Sequence, residues 1–314
     1  METGTAMKNR NSFFQRAGRD IKKNHSVYIM AIPVIAFYVL FCYKPMVGLL
    51  MAFQNYSPAT GLWGSEWVGM KNFTDFITGP DFFRLIKNTL AVSLCGLVFG
   101  FPAPIIFALL VNEVRQKNFK RVIQTFSCLP HFISMVVVCG IVKLFVSRTG
   151  VVTVLLHNLF GIPQADMLAN TSFYLPIYTL SSIWQGMGWD CIIYLAVLSS
   201  IDPSLYEAAS IDGAKKFKQV LHVTIPSILP TVIIMLILRV GQLMSVGHEK
   251  TLLLYNPLIY ERADIISTYI YRLAFEKQQW GYTTAVGLFN AVINFALVIS
   301  VNAISKKVSD TSLW

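Results

Sequence analysis

A chain of 314 residues could fold as two soluble domains, yet 54% of it is hydrophobic and only 13% charged, where soluble chains carry about 25% charged residues. A mean hydropathy of +0.56 and recurring apolar runs longer than about 18 residues exclude a disordered, collagenous or coiled-coil chain and point to a polytopic membrane protein. The formal charge of +10 would suit nucleic acid in a soluble protein, but here the basic residues cluster beside apolar runs, so the charge reads as topological and no nucleic-acid partner is expected.

Residues 1–26 form a basic segment. They are not expected to be a cleavable leader, because the apolar run that follows extends over 27–53, beyond the about 7–15 residues of a signal-peptide core. Further runs cover 86–111, 122–145, 173–199, 226–246 and 283–304. Each of the six is long enough to cross about 30 Å of hydrocarbon as a helix, giving one transmembrane domain over 27–304 and a tail over 305–314. Residues 31–40 and 231–238 are apolar all round rather than alternating, which excludes a barrel and makes the fold all-α.

A cytoplasmic N-terminus places about fifteen Lys and Arg in inner segments against about seven outside, so the positive-inside rule sets both termini in the cytoplasm. Inner clusters include Arg115, Lys117, Lys120 and Arg121, then Lys215, Lys216 and Lys218. The outer stretch 150–161 is apolar but too short to span, and reads as an interfacial helix or a buried cap. The five cysteines form no C-x-x-C pair and the five histidines are scattered, so neither a disulfide framework nor a metal site is indicated. The loops are too short for a folded domain, and the phosphate-cradle, zinc-pair and nucleophile-elbow patterns are missing. No catalytic residue and no cofactor is expected in this chain.

The inner stretch between the fourth and fifth runs, 202–226, carries the strongest pattern. Pro203 and an S-x-x-E capping box at Ser204 and Glu207 predict a short helix from Leu205 to Asp212, with Gly213 as its left-handed C-terminal cap. Ala208 and Ala209 leave a surface that another backbone can approach closely, and Leu205 and Ile211 are apolar with no partner in so short a loop. The helix is suited to dock into another protein.

Glu207-Ala208-Ala209, then Gly213, then Val223-x-Ile225-Pro226 resembles the EAA loop of permease subunits of binding-protein-dependent ABC importers, with Val for Ile and Ile for Leu as departures. The fuller run Tyr206-Glu-Ala-Ala-x-Ile211-Asp212-Gly213-Ala214 is similar to the carbohydrate branch, which includes maltose-type permeases. Leu252 to Pro257, Tyr269-x-Tyr271-Arg272, residues 28–33 and Leu129 to Ser134 are similar to the polysaccharide and complex-oligosaccharide subgroup often labelled LplB-like. The resemblance implies a type I importer (MetI-like) permease fold. It also implies that Tyr206, Glu207, Ala208, Ala209, Ile211, Asp212, Gly213 and Pro226 couple the chain to a separate ATPase, Glu207 meeting a basic group there. The implied partners are a second homologous permease, two ATPase subunits that hold ATP and Mg, and an external solute-binding protein received by outer segments 54–84, 147–170 and 249–281. The cargo would be a sugar and the location the bacterial plasma membrane.

Polar groups within the runs suggest where a sugar would pass, since charge near a bilayer centre costs about 2.5–3.5 kcal/mol and usually faces protein or water. Arg239 and Gln242 lie one turn apart in the fifth run. Thr283, Gly287, Asn290 and Asn294 form one stripe in the sixth. Ser182, Gln185 and Trp189 share a face of the fourth, beside Asp190. Amides and small residues also glue helices together, so packing is the competing role for Asn290 and Asn294. The alternative class is an ion-coupled secondary transporter or channel using Arg239 and Asp190. It leaves the EAA loop unexplained and predicts inverted repeats that the sequence does not show.

Overall fold

A computed structural model describes residue 20 and residues 22–245 and 247–309. Most of the basic segment 1–26, the end of the tail 305–314, and Val246 at the close of the expected fifth run lie outside the described residues. Among the described residues the architecture is helical apart from a short ribbon, Gln54–Asn55 (β1) antiparallel to Glu66–Trp67 (β2), with Gln54 opposite Trp67. Among the described residues five helical runs are long and apolar enough to cross a membrane, and a sixth qualifies as a bent pair.

The first, α1 (His25–Phe53), buries almost nothing in its own chain, Ala52 at its end being the exception. After β1 and β2 come α2 (Lys71–Ile77) and the second long run α3 (Phe82–Asn112). Then follow α4 (Lys117–Cys128), α5 (Met135–Val146) and α6 (Val151–Phe160). The fourth run α7 (Thr171–Ser199) bends by 69° into α8 (Pro203–Ile211). The chain continues through α9 (Lys216–Val240), α10 (His248–Leu254) and α11 (Ile266–Phe275) to α12 (Trp280–Ser309).

Three of these runs contain a π turn just before a proline: Tyr38–Tyr43 before Pro45, Gly96–Gly100 before Pro102, and Val220–Thr224 before Pro226. Proline lacks the N–H and crowds the carbonyl four residues back. Widening the preceding turn relieves that crowding without ending the helix; thus Phe101 N–H bonds Gly96 O, five residues back, at 2.9 Å.

Two expected boundaries are corrected. The single run at 122–145 is interrupted by a 3₁₀ turn, Leu129–Phe132, followed by extended Ile133 and by Ser134, which caps α5 through its hydroxyl at 3.4 Å from Val137 N. Pro130 fixes that turn, and Gly188 of α7 fills the space beside it, where a Cβ would stand 2.0 Å from Ser127 O. Ser127 and Cys128 therefore touch α7 backbone directly, and Cys128 Sγ donates to Gly188 O at 3.1 Å. The third run of spanning length is Met135–Phe160, which takes in the stretch expected as an interfacial helix or cap.

The fifth run ends at Val240 rather than 246. Beyond it Leu243–Ser245 turns as 3₁₀ because its polar atoms are claimed from elsewhere: Ser93 Oγ donates to Leu243 O, and Asn294 Oδ1 accepts from Met244 N at 2.9 Å. Met244 of this turn joins an apolar core with Phe76, Ile266 and Val286. Val138, Val142, Tyr174, Leu254 and Ile265 share another, and Ala108, Tyr194, Leu198 and Ile228 a third.

The segment before α11 is tied down by ion pairs between side chains. Asp264, its side chain fully buried, receives Arg272 at 2.7 and 3.1 Å and Thr268 Oγ1 at 2.9 Å, while Arg84 reaches it at 3.5 Å and Asp81 at 2.7 Å. Arg272 also lies over the Tyr260 ring at 4.8 Å. Asn88 of α3 donates to the Glu261 and Asp264 carbonyls, which anchors the segment before α11 to the second long run.

Candidate functional site

Two places carry the chemistry, the α8 helix and a cavity beside α7 and α9. At α8 the N-cap is Asp202, not the expected Ser204. The Asp202 carboxylate accepts from Ser204 N at 2.9 Å, and Pro203 occupies the first helical position, where its missing N–H costs nothing. The hydrogen bonds from Ser204, backbone first, hold the Asp202 carboxyl below its usual range. At the other end Gly213 takes φ +76°, with Ala214 N bonded to Ala209 O at 2.9 Å and Gly213 N to Ser210 O at 3.1 Å. That is the paired closure of a Schellman motif, and only glycine adopts this φ without strain.

α8 is fastened to the foot of α9 at two points. The Tyr206 and Thr224 hydroxyls are 3.0 Å apart, and Gln219 Nε2 donates to Ser210 Oγ at 2.9 Å and to Ala214 O at 3.1 Å. Lys216, at the start of α9, pairs with Glu113 beyond the end of α3. The outward surface carries Glu207 and Ala208, both exposed, with Ile211 87% and Phe217 79% exposed. Glu207 has no hydrogen bond or ion pair among the described residues. Ala209 is half-buried and Asp212 exposed, while Pro226 is exposed at the second position of the α-helical part of α9.

The cavity has a volume of about 650 Å³ and is lined by Gln185 and Asp190 of α7, Arg239 at the end of α9, Gln242 just beyond it, His131, and Lys250 of α10. Asp190, Arg239 and Gln242 also line a second cavity of about 200 Å³ with Tyr194 and Met235, so these three stand where the two spaces meet. Amide, acid and guanidinium groups at a junction of this kind can bind hydroxyls in sequence.

Of the residues singled out in sequence, Gln185, Arg239 and Gln242 come together here. Trp189 does not line the cavity but stacks on His131 with ring centroids 4.5 Å apart, supporting a residue that does. Asn290 and Asn294 do not line it either. Their side-chain amides donate to Ser245 Oγ at 3.3 and 2.7 Å, so they hold the turn after α9 in place. The reason is geometric: α12 packs on α9 and on that turn, which closes the stripe against protein. Lys250 and His131 were not singled out as path residues.

Residues 100–310 match the family described as the binding-protein-dependent transport system inner membrane component. The chain belongs to that family. It is 41% identical over 317 residues, 99% of both chains, to protein LplB of Bacillus subtilis (strain 168). It is 40% identical to the polygalacturonan/rhamnogalacturonan transport system permease protein YteP of the same organism, over 92% of this chain and 90% of that one. Among solved structures, a chain of the bacterial alginate ABC transporter in complex with an alginate pentasaccharide-bound periplasmic protein superposes with a TM-score of 0.86 at 41% identity, covering 94% of this chain and 99% of that one. This protein is therefore an inner membrane component of a binding-protein-dependent system, with the helical permease fold expected from its EAA loop.

Proposed function

We propose that the chain is one of two permease subunits of an importer that carries an oligosaccharide or polysaccharide fragment into the cytoplasm, driven by ATP hydrolysis in two separate ATPase subunits. The observation that carries this reading is α8. It is a helix capped at both ends and pinned to α9, yet it leaves Glu207, Ala208 and Ile211 exposed among the described residues. Exposed apolar side chains beside a free carboxylate suit a cleft in another protein, with a basic group for Glu207. Closure of two ATPases around ATP would move α8, and the bonds at Thr224 and Gln219 would carry that movement into α9 and the Arg239 end of the cavity.

The outer segments, including a cleft of about 490 Å³ between β1 and the start of α12 lined by Tyr56, Lys71, Asp75 and Trp280, would receive the external binding protein. The cargo class follows relatives named for polygalacturonan/rhamnogalacturonan and for the acidic polysaccharide alginate. The secondary-transporter alternative loses its support to the family membership. The test is affinity purification of the tagged chain in mild detergent. Recovery of a second EAA-containing permease in equal amount, with two ATPase copies for each pair, is the expected result. A solitary chain that transports without ATP would refute the reading.

A further inference from the structure

Lys250 is 4% exposed, more buried than any other cation in the described chain. Its Nζ donates to Ser182 Oγ at 2.8 Å and lies 5.3 Å from the centre of the Tyr178 ring. No carboxylate stands within 4 Å of it among the described residues. Burial drives its pKa down to about 8. Withdrawing an ammonium from water without a counter-ion is costly, and such groups face a functional space when they persist. Here that space is the 650 Å³ cavity, whose wall includes Lys250, Ser182 and Tyr178, with Arg239 and Gln242 at its junction with the second space. The two acids on the same wall, Asp190 and Glu249, are exposed and form no ion pair within 4 Å with either cation among the described residues.

We propose that Lys250, oriented by Ser182, is a specificity-determining residue that binds a carboxylate of the saccharide in transit, so that the passage favours acidic oligosaccharides over neutral ones. The inference rests on the permease reading above. Ser182 occupies one of the three ammonium donors and the Tyr178 face partly screens the charge, which leaves donors for an incoming anion. A neutral sugar would leave those donors without a charged partner, whereas a uronate supplies one. Discrimination comes from that difference, because a site with a buried, unpaired donor rejects a ligand lacking the matching acceptor.

The test measures binding of trigalacturonate and of its fully methyl-esterified, neutral form to the purified full chain with whatever subunits it retains. The wild type should bind the acid at least about tenfold more tightly than the ester, the scale of one charge-assisted hydrogen bond. K250M should bring acid and ester affinities to within about threefold of each other, and K250R should restore the preference. Equal affinity of the wild type for acid and ester would overturn the proposal without any variant being needed. So would a K250M protein that keeps the preference, which would place it on Arg239. ATP-driven uptake, measured on the same preparation in proteoliposomes, reads the importer assignment separately: its absence beside intact acid preference would remove that assignment and leave Lys250 standing.

Discussion

Tyr206 and Thr224 are eighteen positions apart, yet their hydroxyls lie 3.0 Å from each other, one on the exposed helix α8 and the other inside the π turn at the foot of α9. A movement imposed on α8 therefore reaches α9 through a short polar link as well as through the chain. Tyr206→Phe combined with Ser210→Ala removes this link and the Gln219–Ser210 bond, each worth about 1 kcal/mol. In proteoliposomes of the assembled complex, sugar moved per ATP hydrolysed is expected to fall while ATP hydrolysis persists. An unchanged ratio would assign these bonds to local stability alone.

Gly213 closes α8 at φ +76° with open space around its missing Cβ. Gly213→Ala therefore meets no clash, only the cost of about 1–2 kcal/mol for a left-handed alanine. Hydrogen exchange over residues 203–214 should rise by about five- to tenfold in that variant, and less in Gly213→Asn, since asparagine tolerates this region.

Asp264 is buried and faces two arginines. Asp264→Ala leaves Arg272 without its counter-ion and is expected to lower stability by about 3 kcal/mol, visible as a lower thermal midpoint in detergent. Asp81→Ala removes a more exposed partner of Arg84 and should cost under about 1 kcal/mol. The contrast separates the buried anchor of the outer segment from its surface companion.

Lys250 also gives the cavity a pH dependence. Its depressed pKa of about 8 means that the ammonium is present below that pH and lost above it, so preference for a carboxylate over its ester should decline as pH rises through about 8. The groups that share its surroundings are Cys139 and Lys143 of α5, Tyr178 and Asp190 of α7, His131, Arg239, and His248 and Glu249 of α10. A midpoint near 8 that moves upward in K250R singles out Lys250. K250R should hold the preference to higher pH, and binding isotherms across pH 6–10 check both.

The apolar runs and the Glu207 to Gly213 pattern were legible in the sequence because length, hydropathy and turn chemistry are local properties. So was the left-handed cap at Gly213. The N-cap was misplaced by two residues: Asp202 followed by Pro203 is itself a start signal, and the S-x-x-E pattern overlapping it drew attention to Ser204. The break at 129–134 was hidden inside a continuous apolar stretch, where Pro130 alone did not distinguish a kink from a stop. Asn290 and Asn294 show the limit of periodicity. Their stripe fixes a helix face, but what covers that face, here Met244 and Ser245, is set by tertiary packing. Lys250 was hidden for the same reason. In sequence it sits in a polar outer segment, and its burial exists only once α10 packs beside α5 and α7.

The most direct test of the account is Glu207→Lys in the assembled complex, following ATPase-subunit retention on purification and ATP-driven saccharide uptake together. Glu207 has no hydrogen bond or ion pair among the described residues, so the folded permease should survive the change. The account predicts that uptake is lost and the ATPases dissociate or turn over without transport. Wild-type uptake with full ATPase retention would contradict the assignment of α8 as the coupling element.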